Sequence, residues 1–149
     1  MKKILIPIDG SPISSKAVLE AKKLAEAFNA EIVLLTVANI TTPSGTEESN
    51  LDIKTGLEVP QYISNFKKNA ERHLAEARII LGDLGPKAEA VILYGDPAEQ
   101  IATYLDDHDV DYVVMGSQGV GVSRIRQVFI GSVTSKILRH AKQPILIVK

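Results

Sequence analysis

Residues 3–12 read Lys3-Ile4-Leu5-Ile6-Pro7-Ile8-Asp9-Gly10-Ser11-Pro12, and the order of residue types in this stretch decides the fold. A short apolar run stops at a carboxylate and a glycine. Ser11 and Pro12 then form an N-cap and first-turn pair, the signature of a helix start. Beyond them Ala17, Ala21, Leu24, Ala25 and Phe28 recur at helical spacing and make one apolar stripe, which Asn29 ends. A second apolar run follows at Glu31 to Val37. Its Ile32-Val33-Leu34-Leu35 is apolar at successive positions rather than alternating, as expected of a strand with helices on both faces of its sheet. Strand, helix, strand is a βαβ unit, and a repeated switch of this kind predicts an α/β fold around a parallel sheet.

The same alternation runs to the end of the chain. Further strands are predicted at Glu89 to Tyr94, Tyr112 to Met115 and Pro144 to Val148, making five. Asp96-Pro97-Ala98-Glu99 supplies a capping residue, a first-turn proline and a glutamate three residues on, so a helix carrying Ala98, Ile101, Ala102 and Leu105 starts there. Two more helices are expected, from Pro60 to about Leu81 and from Ser132 to His140. In the last, Val133, Ile137 and Leu138 face the sheet. Residues 41–58 are polar and turn-rich and read as a long flexible loop within a single domain spanning 1–149.

Composition narrows the function. A chain of 149 residues with 45% hydrophobic and 23% charged residues is an ordinary globule that buries a substantial core. Its 17 basic and 18 acidic side chains leave no excess to draw it to nucleic acid or to anionic lipid. Cysteine is absent, which excludes disulfides and thiolate metal sites. Pro7 and Asp9 cut the first apolar run far short of a signal peptide or a membrane span. The expectation is a cytoplasmic protein with a small ligand.

In an open parallel sheet, ligands bind beyond the carboxyl ends of the strands, where the strand order reverses. Three segments end there: Ile6-Pro7-Ile8-Asp9-Gly10-Ser11, Leu35-Thr36-Val37-Ala38, and Met115-Gly116-Ser117-Gln118-Gly119-Val120-Gly121. The last is followed, after Arg124 and Arg126, by Gly131-Ser132-Val133-Thr134 at a helix start. Glycines after a strand let backbone N–H groups line a concave nest, and the free N–H groups of a first helical turn favour an anion, so a phosphate suits this end. A Walker loop is excluded, because no glycine here is followed by lysine and then Ser or Thr. The dinucleotide fingerprint is disfavoured, because the glycines follow the fourth strand rather than the first.

Gly116-Ser117-Gln118-Gly119, a gap, then Gly131-Ser132, with Pro7-Ile8-Asp9 at the first strand end, resembles the universal stress protein family. Gly95-Asp96-Pro97, Asp111-Tyr112-Val113-Val114-Met115-Gly116 and the closing Pro144-Ile145-Leu146-Ile147-Val148 are similar to it in order and spacing. The resemblance spans the chain. It implies an open five-stranded parallel sheet, order 3-2-1-4-5, with helices on both faces, of the adenine nucleotide α-hydrolase-like type. It also implies ATP, with magnesium, as the ligand of the family's ATP-binding branch.

Carried over by the resemblance, Pro7, Asp9 and Val37 line the adenine and ribose side. Gly116, Gly119, Gly131 and Ser132, helped by Val133 and Thr134, hold the phosphates, and Met115 belongs to the same ATP-binding set. No metal ligand set comes from the protein alone, and Asp9 would reach magnesium through the phosphates or water. The family leaves nine residues between its second and third glycines, whereas eleven separate Gly119 from Gly131. Either the loop is two residues longer or Gly121 replaces Gly119.

Asp9 has a second reading, as a carboxylate capping the first helix. Arg124 and Arg126 have two readings, a clamp on the γ-phosphate and, as is commoner for loop arginines, solvated or surface-paired cations. His73, His108 and His140 lack metal-ligand partners, and His140 suits a helix C-terminus as a cation. Asp106, Asp107 and Asp109 lack the glycine and terminal glutamate of a calcium loop. No catalytic residue is identified, so the expectation is an ATP-dependent stress-response module with slow hydrolysis or none. The alternatives are an adenylating or ATP-hydrolysing enzyme of the related α-hydrolase type and a nucleotide-free interaction protein. The apolar strand 144–149 at a sheet edge predicts a homodimer, burying Ile145 and Ile147 or their neighbours.

Overall fold

A computed structural model describes residues 1–39, 59–118 and 130–149. Strand β1 (Lys3–Ile8) leads to helix α1 (Pro12–Phe28), β2 (Glu31–Ala38), α2 (Val59–Leu81), a 3-10 helix (Gly82–Lys87), β3 (Glu89–Tyr94), α3 (Pro97–Asp107), β4 (Tyr112–Gly116), α4 (Ser132–His140) and β5 (Ile145–Val148). The five strands form one parallel sheet in the order β3-β2-β1-β4-β5. The expected order 3-2-1-4-5 is therefore observed. The predicted loop 41–58 lies outside the described residues.

Each strand sends alternate residues to opposite faces, and helices cover both. Ile4, Ile6, Ile8, Ile32, Leu34 and Val114 pack with Ala17, Val18 and Ala21 of α1 and with Leu74 and Ala77 of α2. Leu5, Val33, Leu35, Val113 and Met115 pack with Ile101, Tyr104 and Leu105 of α3 and Ile137 of α4. This two-sided burial is why the strand sequences run apolar without alternation.

The caps agree with the sequence reading. Ser11 accepts a hydrogen bond from Ser14 N at 3.1 Å, and Asp96 accepts one from Glu99 N at 3.0 Å. Asn29 ends α1 in the left-handed region at φ 50°. Three details differ. The 3-10 helix was not anticipated; it begins at Gly82, whose φ of +61° ends α2. Leu138 is exposed, and only Val133 and Ile137 of the predicted trio meet the core. Phe28 is also exposed, with its ring stacked on Tyr112 at 5.9 Å.

Candidate functional site

The carboxyl ends of β1 and β4 separate. β1 pairs with β2 from Lys3 through Ile8, but with β4 only at Ile4 and Leu5. Pro7 has no N–H with which to extend that second ladder. A crevice therefore opens at the switch point of the sheet, with a volume of about 270 Å³.

The described residues lining the crevice come from six places. Pro7, Ile8 and Asp9 end β1, while Leu35 and Val37 lie two apart on one face of β2. Met115, Gly116 and Gln118 leave β4, and Gly131, Ser132, Val133 and Thr134 begin α4. Ser14 of α1 with Pro97 and Ile101 of α3 completes the wall. Nine of the ten residues predicted from sequence thus come together: Pro7, Asp9, Val37, Met115, Gly116, Gly131, Ser132, Val133 and Thr134. The tenth, Gly119, lies outside the described residues, as do Gly121, Arg124 and Arg126.

Asp9 is not the helix cap. That role belongs to Ser11, and Asp9 braces it: Asp9 Oδ1 accepts from Ser11 N at 2.9 Å. The Asp9 N–H in turn donates to Ser14 Oγ at 3.3 Å. These bonds fix the β1–α1 turn while one carboxylate oxygen remains beyond the cap bond.

The opposite wall is tied backbone to backbone. Gly131 N donates to the Ser117 carbonyl at 2.7 Å, and Ser117 N donates to the Val148 carbonyl of β5 at 2.8 Å. The buried Thr134 hydroxyl donates to Gly116 O at 2.8 Å. Gly131 is the N-cap of α4 and has no side chain to occupy the first-turn N–H groups. The reason for Gly116 is different from the one its sequence suggests. A Cβ there would lie 2.5 Å from Ile13 Cγ2, so helix α1 packs against the glycine itself.

Sequence reasoning missed Ile8, Ser14, Leu35, Pro97, Ile101 and Gln118. Leu35 shares a strand face with Val37, and Ile101 is one helical turn from Pro97, so both periodicities carried the signal. Ser14 stands three residues after its cap, and Gln118 lies inside the glycine run.

Away from the crevice, His108 stacks on Tyr104 with ring centroids 3.9 Å apart, and His140 Nε2 sits 2.9 Å from Asp106 Oδ2. His140 therefore has a partner on α3 in addition to its place at the end of α4. Among the described residues no group of three or more His, Cys, Asp or Glu could hold a metal ion. No described helix is long and apolar enough to cross a membrane.

Comparison with known proteins follows this geometry. The profile of the universal stress protein family matches residues 1–149. A universal stress protein of Methanocaldococcus jannaschii is 29% identical over 150 residues, covering 99% of this chain and 82% of that one. The solved universal stress protein UspA from Lactobacillus plantarum superposes with a TM-score of 0.81 at 23% identity, over 99% of this chain and 97% of that one. A family protein from Arabidopsis thaliana, solved with AMP bound, gives a TM-score of 0.67 at 20% identity, over 100% of this chain and 92% of that one.

Proposed function

The chain belongs to the universal stress protein family, and from that premise we propose that it is an ATP-binding module of the stress response, working in the cytoplasm as a nucleotide-dependent signaller. The observation that carries this reading is the crevice. Apolar residues from β2, β4 and α3 wall it on one side, and it ends on the first turn of α4, whose N-cap Gly131 offers no side-chain bond, beside Gly116. An apolar slot suits a purine ring, and a glycine-capped helix start suits phosphate. Pro7, Asp9 and Val37 hold the nucleoside. Gly116, Gly119, Gly131, Ser132, Val133 and Thr134 hold the phosphates, and Met115 belongs to the same site. The Arabidopsis relative solved with AMP is consistent with an adenine nucleotide, though at its identity it shares the fold alone.

Magnesium fits only as a companion of the phosphates. Asp9 is the sole carboxylate among the described lining residues, and a hard cation needs more oxygens than that. It is also their sole ionisable side chain, so they offer no lysine for phosphate charge and no separate general base. Slow hydrolysis at most is part of the proposal. Dimerisation through 144–149 is part of the same proposal. β5 is an edge strand, and its Leu146 is exposed while Ile145 and Ile147 pack inward.

The test is calorimetric titration of nucleotide-stripped protein with ATP and magnesium, beside Asp9→Ala and Gly131→Val. Gly131 has φ −64°, which any residue adopts, so valine there obstructs the α4 terminus without backbone strain. Saturable binding that both variants weaken is expected. A parent that binds no adenine nucleotide would return the reading to a nucleotide-free interaction protein.

A further inference from the structure

Ser14 lines the crevice, and its side chain has capacity that the fold leaves unused. It is 6% exposed and stands in the first turn of α1. Its Oγ accepts the Asp9 N–H, and its backbone N–H is spent on Ser11 Oγ. A hydroxyl has one hydrogen to give as well as lone pairs to receive. Among the described residues the Ser14 hydroxyl donates to nothing. A donor this deeply buried would otherwise go without an acceptor.

Its position selects the acceptor. Ile13, the preceding residue, abuts Gly116, so the first turn of α1 lies beside the glycine that begins the phosphate side of the crevice. The N-terminal end of α1 carries positive dipole, which favours an anionic acceptor over a neutral one. On the other flank Ser14 touches Asp9, the nucleoside side. Ser14 thus sits where sugar gives way to phosphate.

We propose that Ser14 is a ligand-contacting residue whose hydroxyl donates to an oxygen of the first phosphate of a bound adenine nucleotide. This rests on the adenine-nucleotide reading above and adds a polar contact that sequence reasoning did not supply. It makes the site discriminate nucleotide from nucleoside at a point outside the glycine loop.

The measurement compares AMP with adenosine on the parent, Ser14→Ala and Ser14→Cys. Loss of a charge-assisted hydrogen bond lowers AMP affinity in Ser14→Ala by roughly tenfold or more beyond the loss that adenosine shares through the Asp9 turn. Ser14→Cys keeps the side-chain shape with a weak donor; it follows Ser14→Ala for AMP while melting with the parent, which separates the contact from folding. Equal losses for AMP and adenosine would mean that Ser14 acts only by holding the Asp9 turn, and would overturn the proposal. So would unchanged AMP affinity in Ser14→Ala. A parent that binds neither ligand overturns the nucleotide reading itself, a result distinct from both.

Discussion

Thr134 Oγ1 donates to the carbonyl oxygen of Gly116 at 2.8 Å, a buried bond between residues eighteen positions apart. It fastens the first turn of α4 to the end of β4. Together with the Gly131 N–H on the Ser117 carbonyl, it holds the β4 and α4 wall of the crevice. The carboxyl end of β4 and the N-terminus of α4 are thereby held side by side.

Thr134→Val keeps the shape of the side chain and removes the donor, leaving the Gly116 carbonyl buried without it. A loss of about 1–3 kcal/mol is expected, and Thr134→Ser restores most of it. For a chain of this size that corresponds to a fall in melting temperature of roughly 2–4 °C per kcal/mol. Thermal unfolding of the two variants is the check. Coincident melts of the parent and Thr134→Val would show that the bond contributes nothing net.

Gly116→Ala places a methyl 2.5 Å from Ile13 Cγ2 and 3.3 Å from the Gln118 carbonyl oxygen. The expected cost is about 1–3 kcal/mol of overpacking. Ile13→Ala removes the nearest atom, so Gly116→Ala with Ile13→Ala is less destabilised than the sum of the single changes. Strict additivity in that double-mutant cycle would refute the contact as the cause. The distinction matters for function, because a binding defect in any Gly116 variant includes a shifted α1.

The strands were legible because two-sided burial writes itself locally, as in Ile32-Val33-Leu34-Leu35. The helix starts were legible because Ser11-Pro12 and Asp96-Pro97 carry their caps within one turn. The order 3-2-1-4-5 came from family resemblance, since no local spacing says which strands become neighbours. What escaped were relations across the fold. Nothing near Gly116 in sequence reveals that Ile13 sits on it, and nothing near Ser14 reveals that the Asp9 N–H reaches it. Helical periodicity placed Leu138 on the sheet, but a helix of nine residues turns only a narrow face inward, and Ile137 occupies it.

Gly10 has φ +79°, and a Cβ there would lie 2.4 Å from His73 Nε2. Two separable costs are therefore expected in Gly10→Ala: backbone strain of about 1 kcal/mol and a steric term against the imidazole. His73→Ala in the same chain relieves only the second. Urea unfolding of the four proteins measures the split. Full recovery in the double variant would rule out the strain, and no recovery would rule out the contact.

Asp111 ties the start of β4 to the start of β1. Its Oδ2 accepts the Lys3 N–H at 2.8 Å, its Oδ1 faces Lys2 Nζ at 3.2 Å, and its own N–H donates to the Lys3 carbonyl at 2.9 Å. The Lys3 N–H first, and then Lys2, hold its carboxyl below the ordinary aspartate range. A carboxyl depressed in the folded state binds its proton more readily when unfolded. Its contribution is therefore complete above the ordinary value of about 3.9 and is lost as pH falls through the lower folded value. Asp111→Asn lacks that component, so its stability is expected to fall less steeply than the parent's below about pH 4. The Lys2 pair is exposed and screened by salt, whereas the Lys3 bond is the more persistent of the two. Much of the difference should thus survive added salt. Parallel stability curves for the parent and Asp111→Asn through the acid range would assign the acid sensitivity to other carboxylates.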